Sequence, residues 1–187
     1  MVLAETASTL CEILVLRAAV DSGDRAEHAI AHLDAWLQSF TLSTFGIMPL
    51  FAFEQMVFTT RAQRDLSPAE FEALMAGAWH DIAGDAIDPE TVWAMSWTIG
   101  HFIGDTVWYY NFPYAFGMLF ALGLLAAHET NPDGFLERFD VLLADSGMRD
   151  ARELAADFGI DLADPAFWHS SFEAFRVDVD RFEALAG

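Results

Sequence analysis

The apolar residues of this 187-residue chain recur at helical spacing in nearly every segment, and no alternating polar and apolar run longer than four residues stands out. A period of 3.6 residues lays one apolar stripe along a helix, whereas a half-buried strand needs a period of two, so the chain is expected to be all-α. Local signals then divide it. A first helix over 3–20 ends at the turn "DSGD", and a long second segment over 25–62 is expected to bend near Gly46 and Pro49. Ser67, Pro68 and Glu70 make a capping box with proline in the first turn, opening a helix that runs to about residue 82. A short helix over 91–99 is expected before a loop over 101–110, after which Asn111 and Pro113 open a helix over 112–128. "NPDG" breaks the chain, helices follow over 135–146 and 149–158 with Gly159 closing the second, and Asp164 with Pro165 starts a last helix to about residue 185. With no repeat, linker or low-complexity tract, residues 1–187 read as a single helical domain.

Charge narrows the function classes. The net charge of −20 opposes binding to nucleic acid and to anionic membrane surfaces, because the summed field repels phosphates and lipid headgroups. All 9 basic residues are arginine, against 29 acidic ones. A lysine-free acidic surface suits molar salt, where the Debye length falls to roughly 3 Å and self-repulsion is screened, so a halophile source is expected. The lone cysteine, Cys11, excludes an internal disulfide. The N-terminal segment has no basic region and carries Glu5 and Glu12 among its apolar residues, which makes it a poor signal peptide and points to the cytoplasm. Two apolar runs, over 41–58 and 112–127, are expected to be buried helices and not membrane spans: the first carries Glu54 and the second is 16 residues long, short of the ~20 that cross a bilayer.

Chemistry concentrates in three places. All three tyrosines, Tyr109, Tyr110 and Tyr114, fall within six positions of a chain that has 17 Phe and 6 Trp to fill its core. Phenylalanine fills apolar volume as well as tyrosine does, so the cluster implies either a use for the hydroxyls or a core edge where each finds a carbonyl. His101 lies close by, between Gly100 and Gly104. A protonated phenol and an imidazole are good donors to a developing oxyanion, although this loop brings no nucleophile. Glu5, Ser8, Thr9 and Glu12 recur at helical spacing as a polar stripe, which fits a solvated face or the lining of a site. His28 and His32 sit one turn apart, a spacing that can share zinc, but position 29 is Ala where a metallopeptidase carries its base, and solvent-facing histidines are expected.

"AETASTLCE", "GHFIGDTVWYYNFPYAFG" and "LLADSGMRDARELAADFGIDLADPAFW" together resemble the oligoendopeptidase F and thimet oligopeptidase family of zinc metallopeptidases. The first looks like the segment downstream of HExxH that supplies the third zinc ligand, the second like the family's substrate loop ending in Tyr-Ala-x-Gly, and the third like its closing helices. The resemblance implies a helical C-terminal part of a zincin-type catalytic domain acting on short peptides. It implies that Glu5 is a zinc ligand, that Glu12 supports a zinc-bound histidine from behind, and that His101, Tyr110 and Tyr114 bind substrate and steady the oxyanion, with Tyr109 left to packing. HExxH itself is not in these 187 residues. The chain is therefore expected to be a fragment, inactive alone, that needs a separate HExxH-bearing segment. The alternative is a non-catalytic helical domain of the same descent that binds peptides or a partner.

Overall fold

A computed structural model describes residues 2–22, 25–99 and 109–187. Every regular element among them is helical, so the chain is all-α: α1 (Thr6–Ser22), α2 (Ala26–Ser43), α3 (Met48–Arg61), α4 (Pro68–Ala83), α5 (Phe112–Thr130), α6 (Phe135–Asp145), α7 (Ala151–Ala156) and α8 (Pro165–Ala186). Between α4 and α5, where a short α-helix over 91–99 was expected, the chain instead makes 3-10 turns at Gly84–Ala86, Pro89–Thr91 and Ala94–Thr98. Pro89 and the β-branched Thr91 and Val92 weaken α-helix there, and a single turn gives too few hydrogen bonds to offset nucleation.

The predicted bend in the second segment is a full interruption. α2 ends at Ser43 and α3 begins at Met48 with Pro49 in its first turn. Gly46 permits the break, because a Cβ there would stand 2.7 Å from the Leu42 carbonyl oxygen, too close for any other residue. Ser67 opens α4 as a complete capping box: its hydroxyl accepts from the Glu70 N–H, and the Glu70 carboxylate accepts from the Ser67 N–H at 2.9 Å. Asp164 caps α8 by accepting from the Ala166 N–H at 2.9 Å, and Gly159, in the left-handed region at φ 75°, follows α7.

The helices group into two compact units, residues 1–40 with 116–187, and residues 41–115. The core of the first is built on α5, whose Met118, Phe120, Ala121, Leu122, Leu124 and Leu125 are buried with Leu10 and Ile13 of α1, Trp36 and Phe40 of α2, and Leu142 and Leu154 of α6 and α7. One buried polar knot also lies within it. Asp178 of α8 accepts from the Trp36 indole N–H at 3.0 Å and from the Arg17 guanidinium at 3.1 Å, so three helices share one desolvated carboxylate. The second unit packs Leu50, Phe53 and Val57 of α3 against Met75 and Ala78 of α4, with Phe71 stacked on Trp97 at 4.7 Å. By length and composition alone, Ala26–Arg61 and Phe112–Thr130 could cross a membrane. Half of the apolar stretch of α5 is buried by the protein itself, as in the core helix of a globular unit.

Candidate functional site

Tyr110 and Tyr114 are brought together by the opening turn of α5. Asn111 is buried just before the helix, and its carbonyl accepts from the Tyr114 N–H at 3.1 Å. Residues 110 and 114 are then one turn apart on one side of the chain. Their rings meet edge to face at 6.0 Å between centroids, and the Tyr114 hydroxyl donates to the Tyr110 hydroxyl across 3.4 Å. Both side chains are half-buried. Two phenol groups held this way, at the positive end of a helix dipole, can aim one O–H at an acceptor oxygen while the other bonds within the pair.

Tyr109, just upstream, has φ 54°, and it is the one non-glycine among the described residues with a positive φ. That conformation costs an L-residue roughly 1–2 kcal/mol, so something must hold it. Helix α3 does. Phe51, Glu54 and Phe58 stand at i, i+3 and i+7, one face of α3. The Tyr109 ring lies 5.3 Å from Phe51 and 5.5 Å from Phe58, and the Tyr109 N–H donates to the Glu54 carboxylate at 3.1 Å. Glu54 is 1% exposed, and its second oxygen has no hydrogen-bond partner among the described residues. Burial pushes its pKa up, and the Tyr109 N–H pulls the other way. In the sequence Glu54 counts only as a charge inside an apolar run. Its place in the stripe of Phe51 and Phe58, an acid where core spacing calls for an apolar residue, is the signal that marks it.

Glu5 lies in the first unit, in the turn that leads into α1, half-buried and not yet inside the helix. Its carbonyl accepts from the Thr9 N–H at 3.0 Å and from the Ser8 hydroxyl at 3.0 Å, which fixes the backbone of the stripe. The stripe is not uniform: Thr9 is buried, while Ser8 and Glu12 are exposed, and the Ser39 hydroxyl donates to Glu12 at 3.4 Å. Gly117 of α5 sits directly against Glu5, since a Cβ on it would stand 3.1 Å from the Glu5 Cβ. His28 and His32 are both exposed on α2. His101 lies outside the described residues.

The metal reading meets a limit in these positions. Among the described residues no group of three His, Cys, Asp or Glu side chains converges as a metal site. Glu5 offers one carboxylate, and by themselves the described residues do not fit a zinc centre, which needs three protein ligands and an open position. A scan against protein-family models and searches of curated proteins and of solved structures gave no match for this chain.

Proposed function

We propose that this chain is the substrate-binding part of a zinc-dependent oligopeptidase of the oligoendopeptidase F type, inactive alone and completed by an HExxH-bearing segment on the same chain or a partner. The observation that carries the reading is the hydroxyl pair of Tyr110 and Tyr114, 3.4 Å apart at the start of α5. Hydrolysis of a peptide bond passes through a tetrahedral oxyanion, and donors set in place beforehand stabilise that charge more than they stabilise the ground-state carbonyl. Tyr114 is assigned to the oxyanion: with substrate bound its hydroxyl turns its proton to the oxyanion and accepts from the Tyr110 hydroxyl, which holds it on target. His101 is the second donor of the loop, as the resemblance implies. Glu5 would be one zinc ligand, with two imidazoles and a water-activating glutamate from HExxH, and the metal held there would supply Lewis-acid polarisation and an activated water. Glu12 would then orient one of those imidazoles from outside.

The reading fixes a metal-binding result that is independent of turnover. Calorimetric titration with zinc should give no tight site on the chain alone, a site of about micromolar affinity or better once a peptide carrying HExxH from a related oligopeptidase is added, and about a ten- to hundredfold weaker site for Glu5→Gln in the same mixture. Equal zinc affinity with and without the Glu5 carboxylate would remove Glu5 from the ligand set.

A further inference from the structure

We infer that Glu54 is the positioning residue of the tyrosine pair: by accepting the Tyr109 N–H it anchors the left-handed turn from which Tyr110 and Tyr114 present their hydroxyls. Four observations meet on this point, all within residues 41–115. Glu54 is 1% exposed in a stripe that is otherwise aromatic, so its carboxyl is desolvated and has to be used. Its one hydrogen bond among the described residues goes to the peptide N–H of the residue with the unfavourable φ, across 3.1 Å. Phe51 and Phe58, one turn to either side of Glu54, grip the ring of that same residue. Phe51 also meets Phe112, the first residue of α5, at 6.2 Å. Tyr109 is thus fixed at its backbone and at its ring by one face of α3.

The next residue in the chain is Tyr110, and rotation about the Tyr109 backbone would swing it away from Tyr114, which the α5 helix carries. An apolar residue at position 54 would fill the space equally well but leave the part-buried Tyr109 N–H without the Glu54 acceptor, a loss that favours rotation of that peptide toward water. A carboxylate or an amide oxygen is therefore required there, and negative charge is not. Glu54 touches no reacting atom in this account; it acts through Tyr109. The claim that the held hydroxyls serve peptide hydrolysis rests on the proposed function, whereas the anchoring geometry does not.

The test uses the 187-residue chain itself, labelled with 15N throughout and 13C in tyrosine, so that every labelled ring belongs to this cluster. In the native chain and in Glu54→Gln, the Tyr110 and Tyr114 rings should show mutual nuclear Overhauser contacts, and the Tyr109 amide should exchange about a hundredfold more slowly than an open chain. In Glu54→Leu both signatures should vanish while helix content and the amides of α4 stay as they were. Ring contacts and protection that survive in Glu54→Leu, or a native Tyr109 amide that exchanges at the open-chain rate, would overturn the inference. If the leucine variant does not fold, Glu54→Asp takes its place, since its carboxyl is one methylene short of the amide: the same losses support the anchor and their absence refutes it. In a zinc-dependent peptide assay with the HExxH segment added, Glu54→Leu should lower kcat about tenfold with KM little changed, and Glu54→Gln should stay within about threefold. An assay silent for every variant, beside the expected ring contacts, would count against the peptidase and leave the anchor standing.

Discussion

At Gly117, Gly123 and Gly77, three glycines inside helices, the neighbours decide what a methyl group would do. An Ala Cβ at Gly123 of α5 would come within 2.3 Å of the Phe167 ring of α8, which is itself packed on Phe120 and Trp168. At Gly77 of α4 nothing lies within 4 Å. Helix propensity favours alanine by about 1 kcal/mol at either site, while overpacking costs about 1–3 kcal/mol and applies only at the first. Gly123→Ala should therefore lower stability by up to about 2 kcal/mol and Gly77→Ala raise it by about 0.5–1 kcal/mol, and urea unfolding of the two variants would show opposite signs. The sequence presents Gly123 and Gly77 alike, as small residues in apolar helices, and only packing separates them. Gly117 is the instructive one. The Tyr-Ala-x-Gly ending marks it in the sequence by resemblance, and the structure supplies a physical reason, the approach of Glu5 to 3.1 Å from where its Cβ would be. For Glu54 the apolar stripe marks the acid but not its partner, a backbone amide 55 residues further along the chain, and no local pattern encodes such a pairing.

Whole elements were more readable than contacts, since the signals that start and stop a helix act within a few residues. Ser67 with Glu70, and Asp164 with Pro165, open α4 and α8 where their side chains satisfy free backbone N–H groups. The 3-10 turns before α5 were not readable, because a short apolar stretch scores as one turn of either helix. Grouping of the helices into two units lay beyond the sequence as well, since both α2 and α5 run across the division. The capping box of α4 makes a pH prediction. The Arg64 guanidinium at 2.6 Å, followed by the Ser67 backbone and side chain, lowers the Glu70 pKa from 4.5 to about 2. The folded state thus binds this proton less readily than the unfolded one, so the contribution is complete above pH 4.5 and fades as pH falls toward 2. Because protonating other carboxylates also relieves repulsion, the measurement is a difference: between pH 5 and pH 2 the native chain should lose part or all of its stability advantage over Glu70→Gln. A gap that stays constant over that range would mean the box does not hold Glu70 ionised.

For the molecule as a whole the net charge of −20 dominates. Seven of the charge contacts that involve arginine have a carboxylate at least a third exposed, so individually they add little. Repulsion summed over the surface is the larger effect, and molar KCl should screen it and raise the thermal midpoint by several degrees. A midpoint that is unchanged or lower in molar KCl would contradict adaptation to high salt. The central claim concerns the tyrosine pair and Glu5, and its most direct test is cleavage of a quenched fluorescent peptide in the presence of zinc. The chain alone should be silent; with the HExxH segment it should cleave, and Tyr114→Phe should lower kcat by about a hundredfold with little change in KM. Zinc-dependent cleavage by the purified chain alone would contradict this account of the site, and silence with the segment present would make the chain a helical binding domain and not half of an enzyme.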